Sequence, residues 1–310
     1  MRKGARKICD AIIRSGNGVG IGHRRAAIFF FLASAIVISR SALQTKWLFY
    51  FDNVNFALAL RHFDPRMHQP QPPGYPLFVA LMHLIHLIVP GVNDVEMTAG
   101  LIGSLLTLAL IWRLTSEMFG KAAAPWASLL LVCYPTFWTA GIGNPVRTFL
   151  CAGACVVGLC VWRVWTHNNS ERWLYLGAIS LGLFSGFRPE LLVLMAPLLA
   201  AGIVVAGPTV VRISATTGLL LVSAATWLVV LVFKCGGISG TYELFTSYLV
   251  VRSHYSAAFG GQAKAAYRHF LLTLEWLFLP TIAWVWALPF ARKRIAQEPS
   301  AAATLLFCLI

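Results

Sequence analysis

Long apolar runs follow one another along this chain of 310 residues and constrain its fold more than any other feature. They cover residues 26–37, 97–111, 122–140, 148–164, 173–184, 191–206, 218–233 and 270–290. With its flanks, each run approaches the roughly 20 residues that an α-helix needs to cross a bilayer. Only 12% of the residues are charged, where soluble domains carry about 25%. The sequence therefore predicts an all-α fold, a polytopic bundle of transmembrane helices.

Basic residues lie mainly on the flanks of these runs, although the net charge of +14 is high. Arginines and lysines before the first run predict a cytoplasmic N-terminus. They are Arg2, Lys3, Arg6, Lys7, Arg14, Arg24 and Arg25. We expect residues 1–25 to be a basic cytoplasmic segment and residues 26–310 to be the transmembrane domain. This distribution is typical of a chain whose partners are membrane lipids, and it argues against a nucleic-acid partner.

The segment 75–89 is apolar but only about 15 residues long, and it carries His83 and His86. We therefore expect it to form a helix at the membrane surface. External loops are then predicted at about 47–94 and 234–269. The basic residues of the remaining loops fall on the cytoplasmic side, as the positive-inside rule requires. They are Arg113, Lys121, Arg163, Arg172, Arg212 and the cluster Arg292–Arg294.

The first predicted external loop has an unusual composition. The stretch HQPQPPGYPLF at residues 68–78 contains a proline pair that cannot continue a helix and Gly74, which permits a sharp turn. Before it, residues 51–60 suggest an amphipathic helix with Phe51, Val54, Leu58 and Leu60 on its apolar face. Two surface helices joined by this turn are therefore predicted.

Polar residues converge on the predicted outer face. They are Asp52, Asn53, Arg61, Asp64, Arg66, His68, Gln71, Asn144, Arg147, Arg188 and Glu190. Ionisable groups at headgroup depth are costly unless they are paired, solvated or functional. The pattern predicts a site for an anionic, lipid-linked substrate. Asp64 is expected in a turn, His83 and His86 at the interface, and Glu275 near the outer end of the last run.

Four motifs in this order resemble a known class of enzymes. They are YFDNVNFALALRHFD, HQPQPPGYPLFVAL, GNPVRTFLCAG and GLFSGFRPELLVLMAPL. Over about residues 25–205 the chain is similar to GT-C membrane glycosyltransferases that use polyprenyl-phosphate sugars. These include the protein O-mannosyltransferases and the lipid A aminoarabinose transferases. The resemblance implies a sugar donor carried on polyprenyl phosphate and a lipid, glycan or protein acceptor.

The resemblance also implies roles for particular residues. Asp52 would be the general base in a transfer with inversion. Other residues would bind the substrates, with arginine suited to the donor phosphate. They are Arg61, His68, Gln71, Tyr75, Asn144, Arg147, Arg188 and Glu190. Asn144 stands where the aminoarabinose transferases carry aspartate, so it can donate a hydrogen bond but cannot act as a base.

Alternatives remain open at this point. Asp52 could instead cap its helix or pair with Arg61, and Arg188 could pair with Glu190. The protein could be a carrier or flippase for a lipid-linked sugar, or an inactive relative. The seven cysteines form no CxxC pair and no metal-ligand spacing is present, so no cofactor or metal is predicted. The run 304–310 breaks off, which suggests a truncated last span.

Overall fold

The computed structural model describes residues 23–44, 46–48, 50–166 and 170–255, and five positions near the C-terminus, which are 267, 268, 270, 271 and 274. The chain forms two compact units. The first unit comprises Met1–His62 and Tyr75–Trp227, and the second comprises Phe63–Gly74 and Leu228–Ile310.

Regular structure in the described part of the chain is helical, which confirms the predicted all-α class. Helix α1 spans His23–Ala42 and α2 spans Phe51–Arg61, followed by a single 3-10 turn at Pro65–Met67. The remaining helices are α3 (Pro76–His86), α4 (Val92–Phe119), α5 (Ala124–Cys133), α6 (Pro135–Gly143), α7 (Val146–Thr166), α8 (Ser170–Phe184), α9 (Glu190–Val205), α10 (Val210–Lys234) and α11 (Gly237–Tyr255).

Four helices in the described residues are long and apolar enough to cross a membrane, namely α1, α4, α7 and α10. Their lengths run from 20 to 28 residues. Since an α-helix rises about 1.5 Å per residue, 20 residues match a hydrocarbon core of about 30 Å. The protein is therefore a multi-pass membrane protein, as the apolar runs predict.

The predicted single helix over 122–140 is wrong. The run contains two short helices, α5 and α6, and Tyr134 between them has an extended backbone with φ −74° and ψ 118°. Pro135 explains the break, because proline disfavours a helical conformation in the residue before it. Helices α8 and α9 are also shorter than a full span, with 15 and 16 residues.

The two short helices predicted for this loop are present as α2 and α3, each 11 residues long. That length corresponds to about 16 Å, too short to cross a bilayer. The proline-rich turn lies between them, and Gly74 in it has φ +97°. A left-handed backbone of this kind favours glycine, which has no Cβ to clash.

Three of the four residues predicted for the apolar face of α2 are exposed. Phe51 is 74% exposed and Val54 and Leu58 are each 39% exposed, while Asn53 and Asn55 are buried. The buried side of α2 therefore combines Asn53 and Asn55 with Phe56 and Ala59, which are fully buried. Asn53 lies beside Glu96, a buried carboxylate on α4.

The segment 234–269, predicted as the second external loop, contains helix α11 from Gly237 to Tyr255. Several predictions fall outside the described residues. They concern the N-terminal basic residues Arg2 to Arg14, most of the run 270–290, Glu275, the Arg292–Arg294 cluster and the run 304–310.

Helix α7 is central to the first unit and packs against α4, α8 and α9. Small residues let these helices approach closely, as is common between transmembrane helices. A side chain at Gly103 on α4 would overlap Thr148 on α7. The hydroxyl of Thr107 donates to the carbonyl of Thr148 at 2.9 Å, so a hydrogen bond supports the same contact.

Contacts between helix ends show the relative directions of α1 and α4. Phe29, near the start of α1, packs edge-on against Trp112 near the end of α4, with ring centroids 5.4 Å apart. At the opposite end, Gln44 donates to Asp94 at 2.6 Å. The two helices are therefore antiparallel.

Ion pairs join several helices at the end of the first unit where α4 and α7 finish. Glu117 on α4 accepts from Arg113 at 2.6 Å and from Arg163 on α7 at 2.8 Å. Arg212 on α10 pairs with Glu171 on α8 at 2.6 Å. The other end of these helices, where α4, α7 and α9 begin, carries the residues described next.

In the second unit, the segment Phe63–Gly74 is a compact loop. Asp64 caps the 3-10 turn by accepting from the backbone N–H of Arg66, and it also pairs with the Arg66 side chain at 3.2 Å. A backbone bridge links Asp64 to Gln69. Asp64 therefore has the turn-forming role that the sequence predicts.

Candidate active site

Asp52 lies in the first turn of α2, where the positive end of the helix dipole favours a carboxylate. Its Oδ2 atom accepts a hydrogen bond of 3.1 Å from Nδ2 of Asn144. Asn144 is the residue that separates α6 from α7. The structure thus joins two predicted site residues that are 92 positions apart in the sequence.

The approach of α6 to the start of α2 depends on Gly143. A Cβ at this position would overlap the ring of Tyr50, the residue that precedes α2. Because no side chain intervenes, the end of α6 packs directly on Tyr50. Asn144, the next residue, can then reach the Asp52 carboxylate.

Arg188 lies in the break between α8 and α9, a segment that also contains Gly186 and Pro189. Its guanidinium donates to the carboxylate of Glu190 at 2.7 Å and lies 5.8 Å from the ring centroid of Tyr75. Burial by itself lowers the pKa of Arg188. The hydrogen bond to Glu190 and the electrostatic influence of Tyr75, Glu190 and Asp52 raise that pKa above its usual value. The predicted pair of Arg188 with Glu190 is present.

Glu190 responds to two arginines. Partial burial by itself raises the pKa of Glu190, but the hydrogen bond and charge of Arg188, with the charge of Arg147, hold it below its usual value. Arg147 is in the first turn of α7 and is exposed. The two cations therefore act on the same carboxylate, while one of them, Arg188, is also under the influence of Asp52.

Two features that the sequence analysis missed hold Tyr75 and Arg188 in place. The backbone N–H of Leu77 donates to the carbonyl of Gly186 at 3.1 Å, which ties the start of α3 to the α8–α9 break. A chain of aromatic rings also connects these segments. It consists of Tyr75, Phe56, Phe78, Phe149 and Phe187, the last two stacked at 4.5 Å.

Not every predicted site residue joins this group. Arg61 is exposed in the last turn of α2, about 13 Å along the helix axis from Asp52, and does not form the alternative ion pair with it. His68 and Gln71 belong to the second unit. There His68 is exposed with a left-handed backbone, and Gln71 is 8% exposed.

The structure also reveals buried polar residues that sequence reasoning passed over. Glu96 is 2% exposed and Arg40 is 1% exposed. Arg40 donates to the Phe137 carbonyl at 3.0 Å and stacks over the Phe137 ring. The available signal was their position, because each is an ionisable residue inside a membrane-length helix. Their partners come from distant segments, which no local pattern reveals.

Metal-binding geometry is absent from the part of the chain that the structure describes. No group of three or more His, Cys, Asp or Glu side chains there could hold a metal ion.

Residues 70–234, more than half of the chain, match the family model described as dolichyl-phosphate-mannose-protein mannosyltransferase. The chain belongs to this family. No curated protein and no solved structure gives a significant match.

Membership confirms the predicted class of enzyme. The dolichyl-phosphate-mannose-protein mannosyltransferase family is a GT-C family of membrane glycosyltransferases that use polyprenyl-phosphate-linked sugar donors. The matched region contains Tyr75, Asn144, Arg147, Arg188 and Glu190. Asp52 precedes the matched region. The role of Asp52 therefore depends on the geometry of the site and on the resemblance of the motif YFDNVNFALALRHFD.

Proposed function

We propose that this glycosyltransferase moves a sugar from a polyprenyl-phosphate donor to an acceptor at the outer face of the cytoplasmic membrane, with inversion. One observation carries the proposal. Asp52, hydrogen-bonded to Asn144 at 3.1 Å, lies at the same end of the first unit as Arg188, and its charge contributes to the raised pKa of Arg188. A carboxylate and a cation are the two groups that transfer from a lipid phosphate requires.

Asp52 acts as the general base. It accepts the proton of the acceptor hydroxyl while that oxygen attacks the anomeric carbon from the face opposite the phosphate. The bond between the anomeric carbon and the phosphate oxygen breaks, and polyprenyl phosphate leaves with the bonding electrons. One such displacement inverts the configuration at the anomeric carbon. The Asn144 amide keeps the carboxylate oriented but takes no proton.

Arg188 and Arg147 stabilise the charge that develops on the leaving phosphate. In the structure Arg188 is held by Glu190 and Tyr75, so it is oriented before a donor arrives. Glu190 positions this cation and remains a predicted substrate contact. Tyr75, Arg61, His68 and Gln71 are likewise predicted to contact donor or acceptor, on the strength of the family resemblance.

The membrane orientation is part of the proposal. The helix directions inside the first unit support it, because the ion pairs of Arg113, Arg163 and Arg212 lie at the end opposite Asp52. Under the positive-inside rule the basic end is cytoplasmic. The site then faces the external side of an inner or cytoplasmic membrane, with residues 1–25 inside and 26–310 as the transmembrane domain.

A transfer assay tests the proposed base. The full-length protein is reconstituted with a panel of radiolabelled undecaprenyl-phosphate sugars and membrane extract as a source of acceptor. Free undecaprenyl phosphate and labelled product are measured. Asp52→Asn keeps the size of the side chain and is expected to lower turnover by roughly 10²–10⁴. Asp64→Asn, which alters a carboxylate in a turn, is the matched control and should lose far less.

Two outcomes would contradict the proposal. Near-parental turnover by Asp52→Asn would exclude Asp52 as the base. Absence of transfer from every donor in the panel, by a parent protein that is folded and binds undecaprenyl phosphate, would favour a carrier or an inactive relative.

A further inference from the structure

Glu96 is an ionisable side chain in the first part of α4, a helix of membrane-spanning length. It is 2% exposed, and neither of its carboxylate oxygens has a well-formed hydrogen bond. Carboxyl groups at such positions are costly and are retained where they have a function. The mechanism proposed above does not use Glu96.

The polar neighbour of Glu96 is Asn53 on α2. Asn53 is 5% exposed and directly follows Asp52 in the sequence. The contact gives Asn53 a polar neighbour on the side of α2 that also buries Phe56 and Ala59. Burying the Asn53 amide without a polar neighbour would be costly, so Glu96 favours the rotation of α2 that places Asn53 inside.

The same face of α4 also contacts the segment that carries Asn144. Gly100 lies one helical turn after Glu96. A Cβ at Gly100 would lie 3.1 Å from the side chain of Pro145 and would overlap the carbonyl of Gly141. Helix α4 therefore touches α2 through Glu96 and the α6–α7 junction through Gly100, and the two segments it touches are those that bring Asp52 and Asn144 together.

We infer that Glu96 is a positioning residue, which holds α2 through Asn53 in the rotation that brings Asp52 to Asn144. The inference rests on the proposed function in one respect, namely that Asp52 is the base. Glu96 does not itself touch the substrate, because its side chain is enclosed.

Two substitutions of Glu96 in the full-length protein test this role. Glu96→Gln retains a polar group for Asn53, and we expect near-parental turnover of the undecaprenyl-phosphate sugar that the parent transfers in the donor panel. Glu96→Leu removes that group, and kcat should fall by roughly a hundredfold, the usual cost of a catalytic group displaced by about 1 Å. Binding of undecaprenyl phosphate should be unchanged, since Arg147 and Arg188 are untouched. Glu243→Leu, at an exposed position on α11, is the matched control.

Hydrogen exchange provides a readout that does not depend on activity. Amides of residues 51–61 should exchange faster in Glu96→Leu and in Asn53→Leu than in Glu96→Gln. In an Asp52→Asn background, Glu96→Leu should cause no further loss of turnover, because both changes act on the same base. If Glu96→Leu fails to insert, Asn53→Leu carries the same comparisons.

Equal exchange of α2 in Glu96→Leu and Glu96→Gln would overturn the inference, as would a full additional loss of turnover in the Asp52→Asn background. The roles proposed for Asp52 and for Glu96 can be excluded separately. If Asp52→Asn keeps parental turnover, Asp52 is not the general base. Hydrogen exchange of α2 still shows in that case whether Glu96 holds the helix in position.

Discussion

At the scale of single residues, the site depends on which charges already have partners. Arg188 is occupied by Glu190 in an ion pair of 2.7 Å, so a donor phosphate must share or displace this carboxylate. Arg147 is exposed and acts on Glu190 only through its charge. The two arginines therefore differ in how far they are oriented before the donor binds.

Substitutions of Arg188 and of Glu190 should change the affinity for the donor in opposite directions. Arg188→Ala removes a charge-assisted contact of typically ~1.5–3 kcal/mol, so the Kd for undecaprenyl phosphate should rise about ten- to a hundredfold. Glu190→Gln removes the competing charge, and the Kd should fall. Equilibrium binding to the reconstituted protein measures both. A lower affinity in Glu190→Gln would show that Glu190 assists the phosphate instead.

The ion pair between Arg188 and Glu190 should also make the stability of the folded protein depend on pH. The pKa of Glu190 is below its usual value in the folded protein. Its ion pair is therefore fully present above the ordinary glutamate pKa of about 4.3 and is lost as the pH falls through the lower value. Thermal unfolding of the parent should show this loss of stability in acid, and Glu190→Gln should show less of it. Identical pH profiles would exclude the pair as a source of stability.

At the scale of helices, the site is held by breaks between elements. Asn144 separates α6 from α7, and Arg188 lies between α8 and α9. Gly186 links the second break to α3, because its carbonyl accepts from Leu77 at 3.1 Å. A Cβ at Gly186 would lie 2.6 Å from Cγ of Leu77 and 2.7 Å from Cδ1 of Trp227, closer than real contacts allow.

Gly186→Ala should therefore push α3 away from the α8–α9 break. Overpacking of this kind costs about 1–3 kcal/mol, so thermal unfolding should occur at a lower temperature. Turnover should also fall, because Arg188 loses its orientation by Tyr75. Gly218→Ala is the matched control, since a Cβ at Gly218 on α10 meets no atom within 4 Å. Equal stability and turnover in the two variants would show that close packing of α3 on Gly186 does not orient Arg188.

At the scale of the whole molecule, the predicted orientation places the proline-rich loop outside and the opposite loops inside. Met67 is 66% exposed, which makes it a better labelling position than the buried Gln71. In cells, Met67→Cys should react with an impermeant maleimide beyond the background of the native cysteines. Lys121→Cys, in the predicted cytoplasmic loop between α4 and α5, should react only after permeabilisation. The reverse pattern would invert the topology.

Local sequence was enough to predict the membrane class, the two short helices α2 and α3 and the α8–α9 break, and it singled out Asp52 and Asn144, which the structure brings together. Each of these follows from signals carried within a few residues. Run length predicts membrane insertion. Proline and glycine predict breaks, and a charge beside an apolar run marks a position of high cost.

Tertiary contacts decided the rest. Local pattern gave α2 an apolar side and a polar side, but it did not show that Asn53 is buried, because the polar neighbour Glu96 lies on another helix. The run 122–140 forms two helices because of Pro135. The second of them, α6, ends with Gly143 against Tyr50, and Asn144 then hydrogen-bonds Asp52. Such contacts join residues 40 to 110 positions apart, as with the 92 between Asp52 and Asn144. The free energy of burying a polar group depends on the partner it finds there, and that partner exists only once the helices have packed.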